Sequence, residues 1–448
     1  MTQSPESLCH ALIDAAIAAG ADGADAMAAE GQSVSIEVRE GALEHAERSE
    51  GTDLGLRVFV GRQQALVSSS DMRPETLIAM AERAVAMARE APEDPYAGLA
   101  DPSQLIKSWD MAAFELEDSA PEPAPETLKQ DALAAEAACQ AIEGISQVQS
   151  AGAGYGTHTV HLAASNGFSG GYRRSSRSLS CVGIAGTGSG MERDHDGDSR
   201  TFHSDMRSAD EIGRTAGQRA VERLQARKPD TGSYPVLFDE RISSSLIGHL
   251  LSAANGAMIA RGSSWLKDSM GEQVLPTNLS VIEDPFRPRI AGSRPFDGEG
   301  LATHRRAIVE DGRLTGWTLD LASARKLGLE SSGNAVRGIG SVPSPSNWNI
   351  ELTPGDQSRQ ELIRSMGSGL LVTSMIGSTI NPNNGDYSRG ASGFWVENGE
   401  ICYPVNECTI AGNLRDMLMR IIPANDARSY LSRVVPSLLI EGMTLAGK

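Results

Sequence analysis

The stretch D-E-R-I-S-S-S-L-I-G-H-L-L-S-A-A-N-G, residues 239–256, decides how the second half of this chain is read. Ile242, Leu246, Ile247, Leu250, Leu251 and Ala254 recur at helical spacing, so an amphipathic helix with one face in a core is expected. His249 lies on that helix. Ser245 precedes it by one turn, close enough for hydroxyl and imidazole to share a structural or substrate-facing hydrogen bond. Strand patterns surround the helix. Residues 305–310 and 314–319 flank Asp311 and Gly312, and residues 393–397 and 400–405 flank Asn398 and Gly399; both are two-residue hairpin signals. Residues 231–448 therefore read as a mainly β domain with the helix of residues 239–260 embedded in it.

Upstream, the pattern repeats itself. A helical run near residues 5–19 precedes alternating segments at 33–39, 42–48, 54–60 and 64–68, then a helix over 74–90. The same order returns with a helix near 127–142, strand-like segments at 147–154, 157–165, 170–176, 177–185 and 191–202, and a helix at 209–226. S-D-M-R occurs at 70–73 and again at 204–207. Residues 1–230 are expected to form a two-layer α/β domain, helices on antiparallel strands, with repeat halves of about 1–114 and 126–230. E-L-E-D-S-A-P-E-P-A-P, residues 115–125, suits an extended, solvated linker between them. The fold class is α+β.

Composition narrows the function. The 448 residues hold 40 Lys+Arg against 58 Asp+Glu, a net charge of −18 that repels nucleic acid and anionic membrane surfaces. The first thirty residues hold no Lys or Arg, and no apolar run approaches the ~20 residues of a membrane span, so a cytoplasmic location is expected. Cys9, Cys139, Cys181, Cys402 and Cys408 are dispersed and lack C-x-x-C spacing, as reduced thiols do.

Other constellations have structural readings beside the functional ones. Asp297 and Glu299, on the glycine-rich turn F-D-G-E-G, can hold a cation or orient a substrate amine, or act as local hydrogen-bond acceptors. The glycine-rich segments 152–156 and 183–190 lie in strand patterns and lack the Lys-Ser/Thr ending of a phosphate loop. Y-R-R-S-S-R, residues 172–177, reads as a solvated hairpin edge guarded by charge. Asp386, Tyr387, Ser388 and Arg389 sit in a glycine-bounded loop suited to recognition, to a subunit contact or to simple turn formation.

Downstream of the helix, G-S-R-P-F-D-G-E-G-L (292–301), S-S-G-N-A-V-R (331–337), N-G-D-Y-S-R-G-A-S-G-F-W-V-E-N-G-E (384–400) and Y-P-V-N-E-C-T-I-A-G-N-L (403–414) follow in order. Together with residues 239–256 these blocks resemble the TldD/PmbA family, and within it the PmbA branch, also called TldE. The resemblance covers most of the chain and is densest from about residue 232 onward. It implies a zinc metallopeptidase in the TldD branch, with an H-E-x-x-x-H helix and a later cysteine ligand, and a partner subunit in the PmbA branch. The matching hexad here is S-S-L-I-G-H: Ser244 stands at the first histidine, Ser245 at the glutamate, and His249 alone survives. The cysteine would fall just before P-S-L-L-I-E-G-M-T, yet residues 430–435 contain none.

A catalytic zinc needs about three imidazole, thiolate or carboxylate ligands, and a serine hydroxyl replaces neither a ligand nor the general base. No catalytic residue and no cofactor is therefore expected in this chain, with zinc confined to a TldD-like partner. The leading expectation is a non-catalytic subunit pairing with a TldD-like zinc peptidase in a chamber that cleaves unfolded peptides, with a homodimer open for the chain in isolation. His249, Asp297, Glu299, Asn334, Arg337, Asp386, Tyr387, Ser388 and Arg389 are the candidates for substrate or interface contacts. Two alternatives stay open. One is an independent homodimeric hydrolase with an unrecognised site; the other is a regulatory or binding protein, as the family's older designation as gyrase modulators suggests.

Overall fold

The computed structural model describes residues 4–448. Ser4 caps the first helix, α1 (Pro5–Ala18), its hydroxyl accepting from the Ser7 amide, and Pro5 occupies the first turn where a missing N–H costs nothing. Strands β1 (Gly23–Arg39), β2 (Ala42–Val60) and β3 (Gln63–Ser69) and helix α2 (Pro74–Glu90) follow. The sequence of elements then recurs as α3 (Pro125–Gln140), β4 (Ile145–Ala164), β5 (Ser169–Ala185), β6 (Glu192–Arg200) and α4 (Ala209–Glu222). The six strands form one antiparallel sheet in the order β3-β2-β1-β4-β5-β6, symmetric about the β1–β4 pair.

Alternation along β1 sorts the two faces of this sheet. Ala24, Ala26 and Ala28 pack with α1 and α2, and Val34, Ile36 and Val38 pack with α3 and α4, so all four helices cover one face. Helices α3 and α4 approach closely: a Cβ on Gly213 would lie 2.1 Å from the Ala135 carbonyl oxygen. The other face meets the second half of the chain, where Leu162 packs with Phe168 and Phe296.

Three local expectations give way here. The segments 147–154 and 157–165 are one continuous strand, as are 170–176 and 177–185, because glycines such as Gly154 lie within the ladder opposite Ser178 and do not break it. The 172–177 patch is not an edge. Strand β5 lies between β4 and β6, Arg174 donates to the Ala291 and Ser293 carbonyls, and Arg177 pairs with Asp131 at 3.2 Å. Residues 115–125 are strapped to the sheet: Leu116 is buried and accepts from the Ser175 amide, Asp118 N donates to Ser175 Oγ at 2.7 Å, and Glu122 pairs with Arg48.

The second half begins with β7 (Gly232–Phe238), α5 (Glu240–Ala253) and α6 (Gly256–Ala260). Then come β8 (Val281–Glu283), β9 (Arg306–Glu310), β10 (Arg313–Leu314), α7 (Leu321–Leu327), β11 (Ala335–Val336), β12 (Ser344–Pro345), β13 (Ile350–Leu352) and α8 (Arg359–Ser365). Last are β14 (Gly369–Ile380), β15 (Asp386–Glu397), β16 (Glu400–Asn413), α9 (Leu414–Leu418), β17 (Ile422–Pro423), β18 (Arg433–Val434) and β19 (Leu438–Ala446). Pairing of β16 with β19 closes the order β16-β15-β14-β7-β19 into a five-stranded barrel. Both expected hairpins form, although the second arm of the first is only Arg313–Leu314 where 314–319 is expected. Positive φ at Asp311 and Gly312, and at Asn398 and Gly399, is what a tight two-residue turn demands. The fold is α+β, with helices on an antiparallel sheet followed by a β-rich barrel domain. Among the described residues, no helix is long and apolar enough to cross a membrane.

Candidate functional site

Helix α5 buries Ser243, Leu246, Ile247, Leu250, Leu251 and Ala253 against the barrel-domain core, which leaves Ser244, Ser245 and His249 half-buried on its other side. Asp239 caps the helix by accepting from Arg241 N, and Arg428 Nε donates to Glu240 Oε2 at 2.7 Å. The expected single helix to residue 260 breaks after Ala253, because the Asn255 side chain accepts from Ala257 N and starts α6.

The expected Ser245–His249 hydrogen bond is not made. Ser245 Oγ donates to the Ile242 carbonyl at 2.6 Å, the back-bonding typical of serine inside a helix. The hexad opens on two sides. Ser244 and Ser245 line a cavity of about 1000 Å³ with Arg241, Arg389 and Asp194, whereas His249 lines one of about 380 Å³ with Asn255, Arg261, Trp265 and Pro382. His249 Nε2 is buried without a hydrogen-bond partner in the protein. Burial, and then the charge of Arg389, push the imidazole down to about 4, so it is neutral at pH 7.

Residues 386–389 open strand β15 and are not a loop. Tyr387 inserts into the core edge-on to His249, with ring centroids 5.9 Å apart, and its hydroxyl meets Met375 Sδ at 3.3 Å. Burial pushes that phenol up to about 12. Arg389 Nε donates to the Gly377 carbonyl at 2.7 Å. Asp386 is exposed and accepts from Asn384 and Asn413, while Ser388 is half-buried in the ladder opposite Thr379 and Ala411.

The remaining candidates lie elsewhere, where the barrel domain meets the sheet. Asp297 accepts from the amides of Glu299, Leu301 and Ala335 at 2.9–3.0 Å, and Glu299 accepts from Leu321 N at 2.8 Å. Asp297 thus holds its own turn and strand β11, while Glu299 accepts from the first amide of α7. Burial and the charge of Asp297 push Glu299 up to about 8. Arg337 and Arg57 both bind buried Asp25 from opposite halves of the chain. Asn334 donates to Glu283 Oε1 at 3.0 Å and to the Ser346 carbonyl. Asp25 and Arg57 were missed, although each interrupts an apolar strand segment, and a charge amid such residues is the available signal.

The chain matches the family models described as PmbA/TldA metallopeptidase domain 1, central domain and C-terminal domain over residues 24–88, 118–224 and 231–447. Metalloprotease PmbA of Escherichia coli O157:H7 is 36% identical, covering 95% of this chain and 93% of that protein. The chain belongs to the PmbA/TldD metallopeptidase family. A PmbA homologue from Haemophilus influenzae is also 36% identical, over 93% of this chain and 90% of its own. Among solved structures, a candidate modulator of DNA gyrase from Bacteroides thetaiotaomicron superposes with a TM-score of 0.92 at 26% identity, covering all of both chains. TldE from Thermococcus kodakarensis does so with a TM-score of 0.85 at 20% identity, over 98% of this chain and all of that one, which shows the shared fold.

Membership in a metallopeptidase family raises the question of a metal at α5. The donors there do not fit one. His249 offers a single imidazole nitrogen, the hydroxyls of Ser244 and Ser245 open to the other cavity, and Ser245 is already engaged with Ile242. Among the described residues, the one cluster of three His, Cys, Asp or Glu donors is Glu6, His10 and His161, which excludes His249.

Proposed function

We propose that this chain is a PmbA/TldE-type subunit that carries no catalytic zinc of its own and completes a peptidase with a TldD-like zinc subunit, acting on unfolded peptides. The observation that carries this reading is the state of the hexad: one neutral imidazole with a free nitrogen, and two hydroxyls that open to a different cavity. A zinc-bound water needs a base of suitable pKa within reach, and no hydroxyl supplies one.

The sheet supports the peptide half of the reading. Strand β3 pairs with β2 only from Leu54 onward, so residues 42–53 of β2 have a partner on one side alone and are almost wholly exposed. An extended peptide can add to such an edge through backbone hydrogen bonds with little regard to sequence, which folded proteins cannot do. The test is to assay the chain alone, a TldD-like subunit alone, and the two mixed, on an unstructured peptide and on a folded protein. Cleavage of the peptide only, and chiefly by the mixture, is expected. Equal turnover by this chain alone contradicts the proposal.

A further inference from the structure

Far along the chain from the α5 helix, a set of metal-ligating side chains stands where α1 crosses β4. Glu6 and His10 are four residues apart and so share one face of α1, and His161 projects toward them from β4, on the face of the sheet that the helices cover. One ligand atom from each of the three lies within 4.8 Å of the others. The two imidazoles are aimed at a common point, because Ser169 Oγ is 3.2 Å from His10 Nε2 and 3.0 Å from His161 Nε2.

His161 is held in place. A Cβ on the facing Gly171 would lie 2.7 Å from His161 Nδ1, so the ring is seated against a residue without a side chain and its Nε2 is left pointing at α1. The main chain at His161 is tied to α1 as well, its carbonyl accepting from Cys9 Sγ at 3.5 Å.

We propose that Glu6, His10 and His161 form a divalent transition-metal site, with zinc the best match, that staples α1 to β4 and leaves a fourth position to a water held by Ser169. Two imidazoles and one carboxylate are a recognised ligand set for zinc, whereas magnesium and calcium prefer oxygen alone. Tetrahedral ligands about 2.1 Å from zinc stand about 3.4 Å apart. The present spacing of up to 4.8 Å must close to that value, and two of the three donors, Glu6 and His10, are on exposed side chains. The chain's charge of −18 favours cation uptake.

This site is independent of the proposed function, and its test separates the two. The full chain is stripped with chelator, then titrated with Co²⁺ followed by visible absorption and with Zn²⁺ in competition. Saturation at one equivalent is expected, with a four-coordinate Co²⁺ spectrum and a rise in melting temperature on adding Zn²⁺. His10→Ala and His161→Ala should each lose saturable binding, Ser169→Ala should weaken it roughly tenfold, and His249→Ala should leave it unchanged. The exposed His10 can be replaced without disturbing the core. No saturable uptake at about 100 µM cation overturns the proposal, as does uptake that survives the His10→Ala/His161→Ala double substitution. Uptake lost on His249→Ala but kept in His10→Ala overturns it too, and places the ion on α5 instead.

Discussion

Burial and the neighbouring Arg389 guanidinium push the His249 imidazole down to about 4, so between that value and the ~6.5 of a free imidazole the unfolded chain binds a proton that the folded chain refuses. The stability contributed by the neutral ring is therefore complete above about pH 6.5 and is lost as pH falls toward 4. Allowing for solvent screening, roughly 1–2 kcal/mol is at stake. Denaturant melts of wild type and His249→Gln across pH 4–7 should converge in that window; parallel curves would show that the ring titrates normally. Arg389→Ala should raise the His249 pKa as read by NMR and lower peptide turnover of the reconstituted complex. The hexad substitutions were legible in the sequence. Their consequence was not, because which cavity each side chain meets depends on β6, β12 and β14, distant partners that helical periodicity does not reveal.

Where elements meet, the buried Asp25 carboxylate joins β1 and β2 to the barrel domain through Arg57 and Arg337. Asp25→Ala leaves two guanidinium groups buried without their acceptor and should cost about 3–5 kcal/mol in a urea melt. Glu299, raised to about 8, runs opposite to His249: its protonated form contributes stability that is complete below its ordinary 4.5 and lost as pH rises through 8. Glu299→Gln should match wild type near pH 4, draw increasingly ahead of it as pH rises through 8, and outlast it at pH 9 in thermal melts; a wild-type advantage at pH 9 would contradict the assignment. Helices and tight turns were the easiest elements to read, since Pro5 and Pro74 each open a first turn and Asp311-Gly312 and Asn398-Gly399 each mark a hairpin. Residues 386–389 misled because turn-forming Asn and Gly precede them, while the buried Tyr387 and pairing to both β14 and β16 make them strand.

For the molecule as a whole, a six-stranded sheet and a closed barrel frame a helix that presents a single imidazole to its cavity. On the proposed function the chain works through a partner surface, so light scattering should give a dimer or larger at micromolar concentration, alone or with a TldD-like chain; a monomer in both would contradict that expectation. The central claim is that catalysis belongs to the partner. It is tested most directly by comparing peptide cleavage rates of reconstituted complexes, checked for intact assembly, that carry Ser244→Ala here or a substitution of the partner's zinc-site glutamate. The Ser244→Ala complex should cleave within about twofold of wild type while the partner variant loses nearly all activity. A Ser244→Ala loss as large as the partner's would show that this chain performs the chemistry.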